Sequence, residues 1–269
     1  CNNQPLANSY IVVNNQVVFT NNGQFSASAC GSSCTVKAYG SNPWVSGQSQ
    51  SVTLAGGSQV VGSLQVCNPG GSTVTDIDGN IYSTVVIGTQ EWMQENLKTT
   101  HYKNGAQIPT NLTGAQWKAT TSGACADYNN DPANSTVYGK LYNWYAVADP
   151  QGLCPTGWHE PEDWEWNVLV RFVDHVADTV CNNCNQSLTE GGALKEIGVT
   201  HWAAPNTAAT NSSGFSAYAG GYRNDFGSYF YLGYNGGWWS ASSGNTTDAY
   251  FHYLSYSNTN IFRGAYNRA

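Results

Sequence analysis

The longest helical signal in the chain is Leu153-Cys-Pro-Thr-Gly-Trp-His-Glu-Pro-Glu-Asp-Trp-Glu-Trp-Asn-Val-Leu-Val-Arg-Phe-Val-Asp-His-Val176. Pro161 suits a first helical turn, because its φ is fixed and it lacks an N–H that this turn could not use. Acidic side chains follow it, at the positive end of the helix dipole. The pattern predicts a helix from near Pro161 to about Ala177. Its apolar residues recur at helical spacing and predict one face that packs on a sheet: Trp166, Leu169, Val170, Val173 and Val176.

The composition argues against two classes of partner. The chain has 269 residues, of which only 10% are charged, and its formal net charge is -7. Ten Lys and Arg residues against seventeen carboxylates cannot form the cationic track that nucleic acid requires. The sequence contains no run of ~20 apolar residues that would predict a transmembrane segment.

The cysteine content predicts an oxidising, extracytoplasmic location, either extracellular or on a bacterial cell surface. The count is even, so we expect every cysteine to be oxidised. Cys1 has two interpretations, a lipid-anchored mature terminus or a half-cystine joined to a residue such as Cys67, and the parity favours the disulfide. No signal peptide is visible, so an exported protein would be in its mature form. The candidate half-cystines are Cys1, Cys30, Cys34, Cys67, Cys125, Cys154, Cys181 and Cys184.

Two close cysteine pairs are predicted to clip loops. Cys30 and Cys34 are separated by three residues, with no His or second pair nearby that would complete a zinc site. Cys181-Asn-Asn-Cys184 is a single C-x-x-C without a second one. A disulfide-clipped loop after the helix is therefore favoured over a zinc or redox pair.

Residues 1 to about 70 form a separate unit by composition, since Lys37 is their only charged side chain. Short apolar runs alternate with turn residues, which predicts a small all-β sandwich of immunoglobulin-like type. Asn68-Pro-Gly-Gly-Ser-Thr73 is the predicted boundary, giving domains at 1–70 and 71–269. The predicted strands cover residues 10–13, 16–20, 24–27, 35–39, 50–54 and 59–66.

The second domain opens on a hairpin signal, Asp78-Gly79, between two alternating apolar arms. Asp76, Asp78 and Asn80 also match the start of a calcium loop, but the twelfth position is Ile87 and not a bidentate Glu, so a turn is favoured. A short helix is predicted from Tyr138 to Val147. Further strands are predicted at residues 229–232, 237–240, 249–254 and 260–263.

Several motifs resemble, in the same order, those of the Fibrobacter succinogenes major paralogous domain over roughly residues 72 to 269. This resemblance implies an α+β, C-type-lectin-like domain, related to formylglycine-generating-enzyme-like proteins and to the variable proteins of diversity-generating retroelements. It implies a fold more readily than an activity. The motifs are Val74-Thr-Asp-Ile-Asp-Gly-Asn-Ile-Tyr82, Trp92-Met-Gln-Glu-Asn-Leu-Lys98, Tyr128-Asn-Asn-Asp131, Tyr138-Gly-Lys-Leu-Tyr-Asn-Trp-Tyr-Ala146, Leu153-Cys-Pro-Thr-Gly-Trp-His159, Gly192-Ala-Leu-Lys-Glu196 and Gly220-Gly-Tyr-Arg-Asn224.

Domains that this sequence resembles usually close with a strand reading Gly-Phe-x-Val-Arg-Cys, whose cysteine would pair with the one at Cys154. Here the sequence ends at Tyr266-Asn-Arg-Ala269. Cys125 is then an alternative partner for Cys154. Either the native chain is longer, or a neighbouring molecule donates a strand, for which residues 10–20 are a candidate, and builds a filament.

Sequence motifs for catalysis are absent. No Gly-x-Ser-x-Gly elbow or phosphate-binding loop occurs, and His159-Glu160 lacks the second histidine of a metalloprotease. The formylglycine-generating activity in the related family uses a pair of C-terminal cysteines, whereas this chain has no cysteine after Cys184. We therefore expect no enzyme activity, no metal site and no cofactor.

The composition of residues 222–266, rich in Tyr, Trp, Ser, Asn and Gly, is typical of recognition surfaces. Because neighbouring strand residues point to opposite sides, we expect Trp238 inside and Trp239 outside. The predicted function is non-catalytic recognition or adhesion at the cell surface, with a glycan or a protein as ligand. The alternative is a subunit of an extracellular filament. The predicted ligand-binding residues are Tyr229, Tyr231, Trp239, Asp248, Tyr250, His252, Tyr253, Tyr256, Asn258 and Arg263.

Overall fold

The computed structural model describes residues 10–13, 16–19, 36–39 and 72–268. The chain divides into two compact units, one comprising Cys1–Ser72 with Val86–Glu91 and the other Thr73–Val85 with Trp92–Ala269. The described part is a mixed α+β structure, mostly sheet with few helices. None of its helices is long and apolar enough to cross a membrane.

The described part of the first unit contains three antiparallel strands. The central one is β1 (Tyr10–Val13), which pairs with β2 (Gln16–Phe19) on one side and β3 (Val36–Tyr39) on the other. These strands match three of the predicted ones. Within the candidate donor segment, residues 10–20, β1 is paired on both sides by described strands and β2 pairs with β1. The other predicted strands, the domain boundary, Cys1, Cys67 and the Cys30–Cys34 clip lie outside the described residues.

A hairpin opens the second unit at the predicted turn. Strand β4 (Thr73–Thr75) pairs with β5 (Ile81–Ile87), and β6 (Gln90–Met93) continues this sheet. Gly79 has φ +83°, a conformation that glycine adopts without steric cost. The Asp76 carboxylate accepts hydrogen bonds from the backbone of Asp78 and Asn80, so the turn interpretation is confirmed. A two-stranded ribbon, β7 (Cys125–Ala126) with β8 (Leu141–Tyr142), follows.

The largest sheet has six strands in the order β11-β10-β12-β13-β14-β9. Its neighbours are antiparallel except β10 and β12, which are parallel. All four strands predicted in this region lie within it. The strands are β9 (Cys184–Ser187), β10 (Gly220–Arg223), β11 (Tyr229–Leu232), β12 (Asn235–Ser243), β13 (Asp248–Ser255) and β14 (Ile261–Asn267).

The helices of this unit are α1 (Gly114–Ala119), α2 (Pro132–Tyr138), α3 (Trp144–Val147) and α4 (Asp163–Val173). The prediction of one short helix over residues 138–147 is wrong, because two helices with a strand between them occupy this region. Gly139, at φ +78°, ends α2, and β8 intervenes before α3 begins behind its N-cap Asn143. Local pattern alone did not reveal that Tyr138 is the last residue of an earlier helix.

Helix α4 occupies the predicted position but is shorter than expected. Glu162 and Glu165 form a capping box at its start, and the chain turns extended at Asp174. Trp166, Leu169 and Val170 are buried as predicted. Because the helix ends at Val173, Val176 is no longer on its apolar face and is 76% exposed.

Buried Lys195 ties the loop that contains Thr207 to the end of β13 and the β13–β14 connection. Its side chain is 0% exposed, and Nζ donates to the carbonyl oxygens of Thr207 (2.8 Å), Ser255 (3.1 Å) and Asn258 (3.0 Å). Burial lowers its pKa to about 8, so the amine remains mostly protonated at neutral pH and has three N–H groups to donate. Without this amine the three carbonyls, which are wholly or partly shielded from solvent, would lose a hydrogen-bond donor.

Replacement of Lys195 by methionine keeps the apolar stem but removes the three donors. We expect Lys195→Met to lower the free energy of unfolding by about 3 kcal/mol, because each orphaned buried carbonyl costs ~1–3 kcal/mol. Denaturant unfolding measures the change. Lys118→Met, at an exposed lysine of α1, is the control and should shift stability by no more than ~0.5 kcal/mol. Equal stability of the two variants would contradict the anchoring role.

Candidate functional site

The six-stranded sheet has one covered side and one largely open side. Along β13, His252 and Leu254 alternate with Phe251 and Tyr253, as expected for a pleated strand. His252 stacks on Trp166 of α4 at 5.0 Å between ring centroids. Phe251 and Tyr253 therefore point away from α4.

Aromatic side chains from five strands lie on the side opposite α4, and we call this surface the aromatic face. Tyr253 meets Phe262 edge-on at 6.3 Å, and Phe251 lies 6.0 Å from Phe262 and 6.4 Å from Tyr266. These four rings are thus in contact with one another across β13 and β14. The aromatic face consists of Tyr222, Phe230, Tyr231, Trp239, Phe251, Tyr253, Phe262 and Tyr266.

The outer edge of the aromatic face is the most exposed part. Tyr222, Phe230, Tyr231 and Tyr266 have exposed fractions of 38%, 39%, 52% and 45%. Trp239 marks the opposite, covered end, where its Nε1 donates to the Tyr142 carbonyl of β8 (3.1 Å). A ligand would therefore approach over strands β10, β11 and β14.

Tyr231 reaches this surface through an unusual backbone conformation. As a neighbour of Phe230 in a regular strand it would point to the opposite side. Its φ of +62° interrupts the alternation, and its ring lies 6.2 Å from Phe230 and 5.8 Å from Tyr222. Left-handed conformations are uncommon for a bulky residue and concentrate at functional positions. As a result of this conformation, the Tyr231 ring lies on the same surface as the rings of Tyr222 and Phe230.

The tyrosine hydroxyls of the aromatic face lie near one another. Burial raises the pKa of Tyr222, and the neighbouring hydroxyls of Tyr231, Tyr266 and Tyr253 raise it further. The pKa of Tyr266 is raised by burial and by Asp225. These groups are therefore neutral at physiological pH and serve as hydrogen-bond donors and acceptors, so the surface combines apolar rings with polar edges.

Three predicted ligand-binding residues lie on the aromatic face, namely Tyr231, Trp239 and Tyr253. Trp238 packs 6.2 Å from Trp166 on the α4 side, as predicted, whereas Trp239 points to the opposite side but is partly buried there. The sequence analysis missed the other five residues of the face. The period-two spacing of Phe251 with Tyr253 and of Phe262 with Tyr266 was the signal that identifies them.

The surface position predicted for His252 is wrong. It is 2% exposed, and neither ring nitrogen has a hydrogen-bond partner among the described residues. Burial lowers its pKa to about 3, against an opposing effect of Asp163 and a smaller lowering by Arg263. The imidazole is thus a neutral core residue on Trp166. It lines a small cavity of about 10 Å³ with apolar neighbours such as Phe215 and Leu194.

Arg263 is likewise buried and not available to a ligand. Its guanidinium donates to both carboxylate oxygens of Asp163 (2.7 and 2.8 Å) and to the Cys181 carbonyl (2.7 Å). Tyr250 stacks on it, with the guanidinium carbon 4.1 Å from the ring centroid. Arg263 and Tyr250 thus fasten β13 and β14 to α4, because residues at alternate positions point to the covered side.

The remaining predicted residues serve internal contacts. Tyr229 packs on Tyr128 and beneath the Arg223 guanidinium, on the side opposite Phe230. Asp248 closes the β12–β13 turn with Asn245 (2.8 Å). Tyr256 meets Tyr234 edge-on at 5.0 Å, and the Asn258 carbonyl accepts from Lys195.

The calcium alternative at the first hairpin is not supported by the geometry. Asp76 accepts hydrogen bonds from Asn80 and from the Tyr82 hydroxyl (2.6 Å). Asp78 accepts from Thr100 and from His101 Nδ1 (2.5 Å). Both carboxylates are used to close the turn and hold the following loop, and no cluster of three potential metal ligands occurs among the described residues.

The cysteines of the second unit are only partly paired. Cys181 and Cys184 form a disulfide, which confirms the predicted clip after α4. Cys125 and Cys154 are free thiols, so the prediction that every cysteine is oxidised and the alternative pairing of these two are wrong. Cys125 lies in the core with Tyr102 and Leu153, where burial raises its pKa to about 11. Burial and the adjacent Glu160 raise the pKa of Cys154.

Both thiols should be unreactive in the folded protein, because the thiolate is the nucleophile and burial suppresses it. We expect iodoacetamide at neutral pH to leave Cys125 and Cys154 unmodified until denaturant is added without reductant. Peptide mass mapping identifies the alkylated residues. Recovery of a Cys125–Cys154 cross-linked peptide, or rapid native alkylation of Cys125, would contradict the assignment.

Burial of neutral His252 makes stability depend on pH. Between pH 6.5 and about 3 the unfolded chain binds a proton at this residue and the folded chain does not, so stability falls on acidification by up to ~1.4 kcal/mol per pH unit. We expect His252→Phe to flatten this dependence and to leave stability at pH 7 unchanged or higher. Chemical denaturation across this pH range is the measurement, with exposed His175→Phe as control. Identical pH profiles for His252→Phe and wild type would overturn the explanation.

These features define an α+β sheet domain with one side closed by a helix and the other presenting aromatic rings. Residues 85–268 match the sequence model of the Fibrobacter succinogenes major domain, and the chain belongs to this family. No curated protein and no solved structure matches the chain significantly. The family membership confirms the resemblance seen in the motifs.

Proposed function

We propose that this chain is a non-catalytic recognition protein of the bacterial cell surface that binds a neutral glycan through the aromatic face. The observation that carries the proposal is the set of eight aromatic side chains on the side of the sheet opposite α4. Rings at this density are normally buried, and contiguous exposed apolar patches on soluble domains mark interaction sites. Tyr231 is held in the left-handed conformation to extend this patch.

The chemistry of the face favours a neutral glycan over a protein ligand. None of its eight side chains is charged, and the carboxylate that borders the face, Asp225, interacts with the Tyr266 hydroxyl, so the centre of the surface offers no ion pairs to a protein partner. A sugar ring presents apolar C–H faces and a rim of hydroxyls. Aromatic faces and the phenolic groups of Tyr222, Tyr231, Tyr253 and Tyr266 complement both features.

The proposal includes a location and a finer fold. We place the protein outside the cytoplasm, supported by the Cys181–Cys184 disulfide, which persists in oxidising compartments. The α+β architecture and the family motifs support a C-type-lectin-like arrangement for the second unit. An immunoglobulin-like sandwich for residues 1–70 completes the proposal, supported by the antiparallel strands β1, β2 and β3.

Truncation of Tyr231 or Tyr253 to alanine tests the binding role. We expect each variant to bind the glycan found for wild type on an array of neutral glycans about 1–3 kcal/mol more weakly, as for a stacking hot spot. Calorimetric titration measures the loss, and the melting temperature should change little for Tyr231→Ala because its ring is half exposed.

Trp164→Ala is the matched control, because this 61% exposed tryptophan lies on α4, on the other side of the sheet. It should bind like wild type. The proposal is wrong if wild type retains no glycan on the array, or if Trp164→Ala loses as much affinity as Tyr231→Ala.

A further inference from the structure

The strand register places one lateral row of the aromatic face across five strands. Tyr222 of β10 pairs with Phe230 of β11. Gly221 and Gly236 are the bridged pair of the parallel strands β10 and β12, and the residues that follow them in sequence are Tyr222 and Gly237. Gly237 pairs with Tyr253 of β13, which pairs with Phe262 of β14. The row therefore reads aromatic, aromatic, glycine, aromatic, aromatic.

The space directly above the Gly237 backbone, where a side chain would begin, is open. Gly237 is exposed, and a Cβ built on it would meet only the His252 carbonyl, at 4.0 Å. The glycine of the following row is different. A Cβ on Gly264 would lie 2.6 Å from the Phe262 ring and 3.0 Å from the Phe251 ring, so those rings already occupy its space. The opening over Gly237 is thus a slot between Tyr222 and Tyr253.

The width of the slot follows from sheet geometry. Adjacent strands are about 4.8 Å apart, so the backbones that carry Tyr222 and Tyr253 are separated by about 10 Å. Carbon atoms in contact lie about 3.5–4.0 Å apart. One puckered ring fits between two tyrosine rings at this separation with both of its faces in contact, whereas two stacked rings do not.

The chemistry around the slot selects the kind of ring. Its walls are phenol rings whose hydroxyls lie near those of Tyr231 and Tyr266. No member of the row is charged. A charged ring that entered the slot would therefore lose its hydration without forming an ion pair, which is unfavourable. A neutral pyranose, with two apolar faces and a hydroxyl rim, matches walls and edges together.

We propose that Gly237 is the floor of a slot in which one neutral pyranose ring of the glycan inserts between Tyr222 and Tyr253. This rests on the proposed function, since it names the subsite within the same aromatic face. Gly237 is then a specificity-determining residue, because it has no side chain to fill the slot. The other exposed rings, including Tyr231, would contact neighbouring sugars.

A graded series at Gly237 tests the slot. Alanine, valine and leucine at this position fill the gap progressively, while none of them is strained, because Gly237 does not adopt a positive φ. Valine also favours strands, so the melting temperature of Gly237→Val should equal or exceed that of wild type. We expect affinity for the array-selected glycan to fall slightly for Gly237→Ala and at least tenfold for Gly237→Val and Gly237→Leu.

The outcomes separate the slot from the wider proposal. If Tyr231→Ala weakens glycan binding and folded Gly237→Leu binds like wild type, the slot is wrong and the aromatic face remains the binding surface. If wild type binds no glycan, both proposals fail. Competition by the methyl pyranoside of the bound sugar should displace the glycan from wild type, and displacement by phenol but by no monosaccharide would overturn the choice of a pyranose.

Discussion

The packing of α4 against one side of the six-stranded sheet is the constraint on which the rest of the second unit depends. Trp166 stacks on His252 at the centre of β13, and Asp163 binds Arg263 of β14 with two hydrogen bonds. The helix thereby fixes which of two alternating sets of residues is interior. Everything on the opposite set, from Tyr222 to Tyr266, is left to face outward. The binding surface that we propose is therefore a consequence of where one helix lies.

Two buried cations help to hold this arrangement by donating to backbone carbonyls. Lys195 donates to the carbonyls of Thr207, Ser255 and Asn258, and Arg223 donates to the Gly227 and Leu112 carbonyls while it lies against Trp117. Such groups are costly to bury unless partners are supplied. Their effect is to define the connections next to β10 and β13, two of the strands that carry rings of the aromatic face. Rigid support of this kind reduces the ordering entropy that binding must overcome.

The candidate site was only partly predictable. Tyr231, Trp239 and Tyr253 were recognised from composition, but His252 and Arg263 were placed on the same surface although each alternates with an outward residue. A composition argument treats a strand as one surface, whereas a pleated strand has two. Cys125 and Cys154 show the same limit. The even number of cysteines predicts that all of them pair. A disulfide, however, requires that two Cβ atoms approach closely, and the number of cysteines carries no information about that distance.

Local signals, by themselves, determined the position of α4, the turn at Asp78-Gly79, four strands of the large sheet and the family. Each of these features is set by residues that are close together in the sequence. The signals are helix caps, backbone dihedral preferences and the spacing of apolar residues. Only the tertiary structure decided that Val176 lies beyond the helix end, that Lys195 joins the Thr207 loop to the end of β13 and that Gly237 pairs with Tyr253 in the sheet. These features join residues far apart in the chain, and the free energy that selects them comes from non-local packing and hydrogen bonds, which no short stretch of sequence contains.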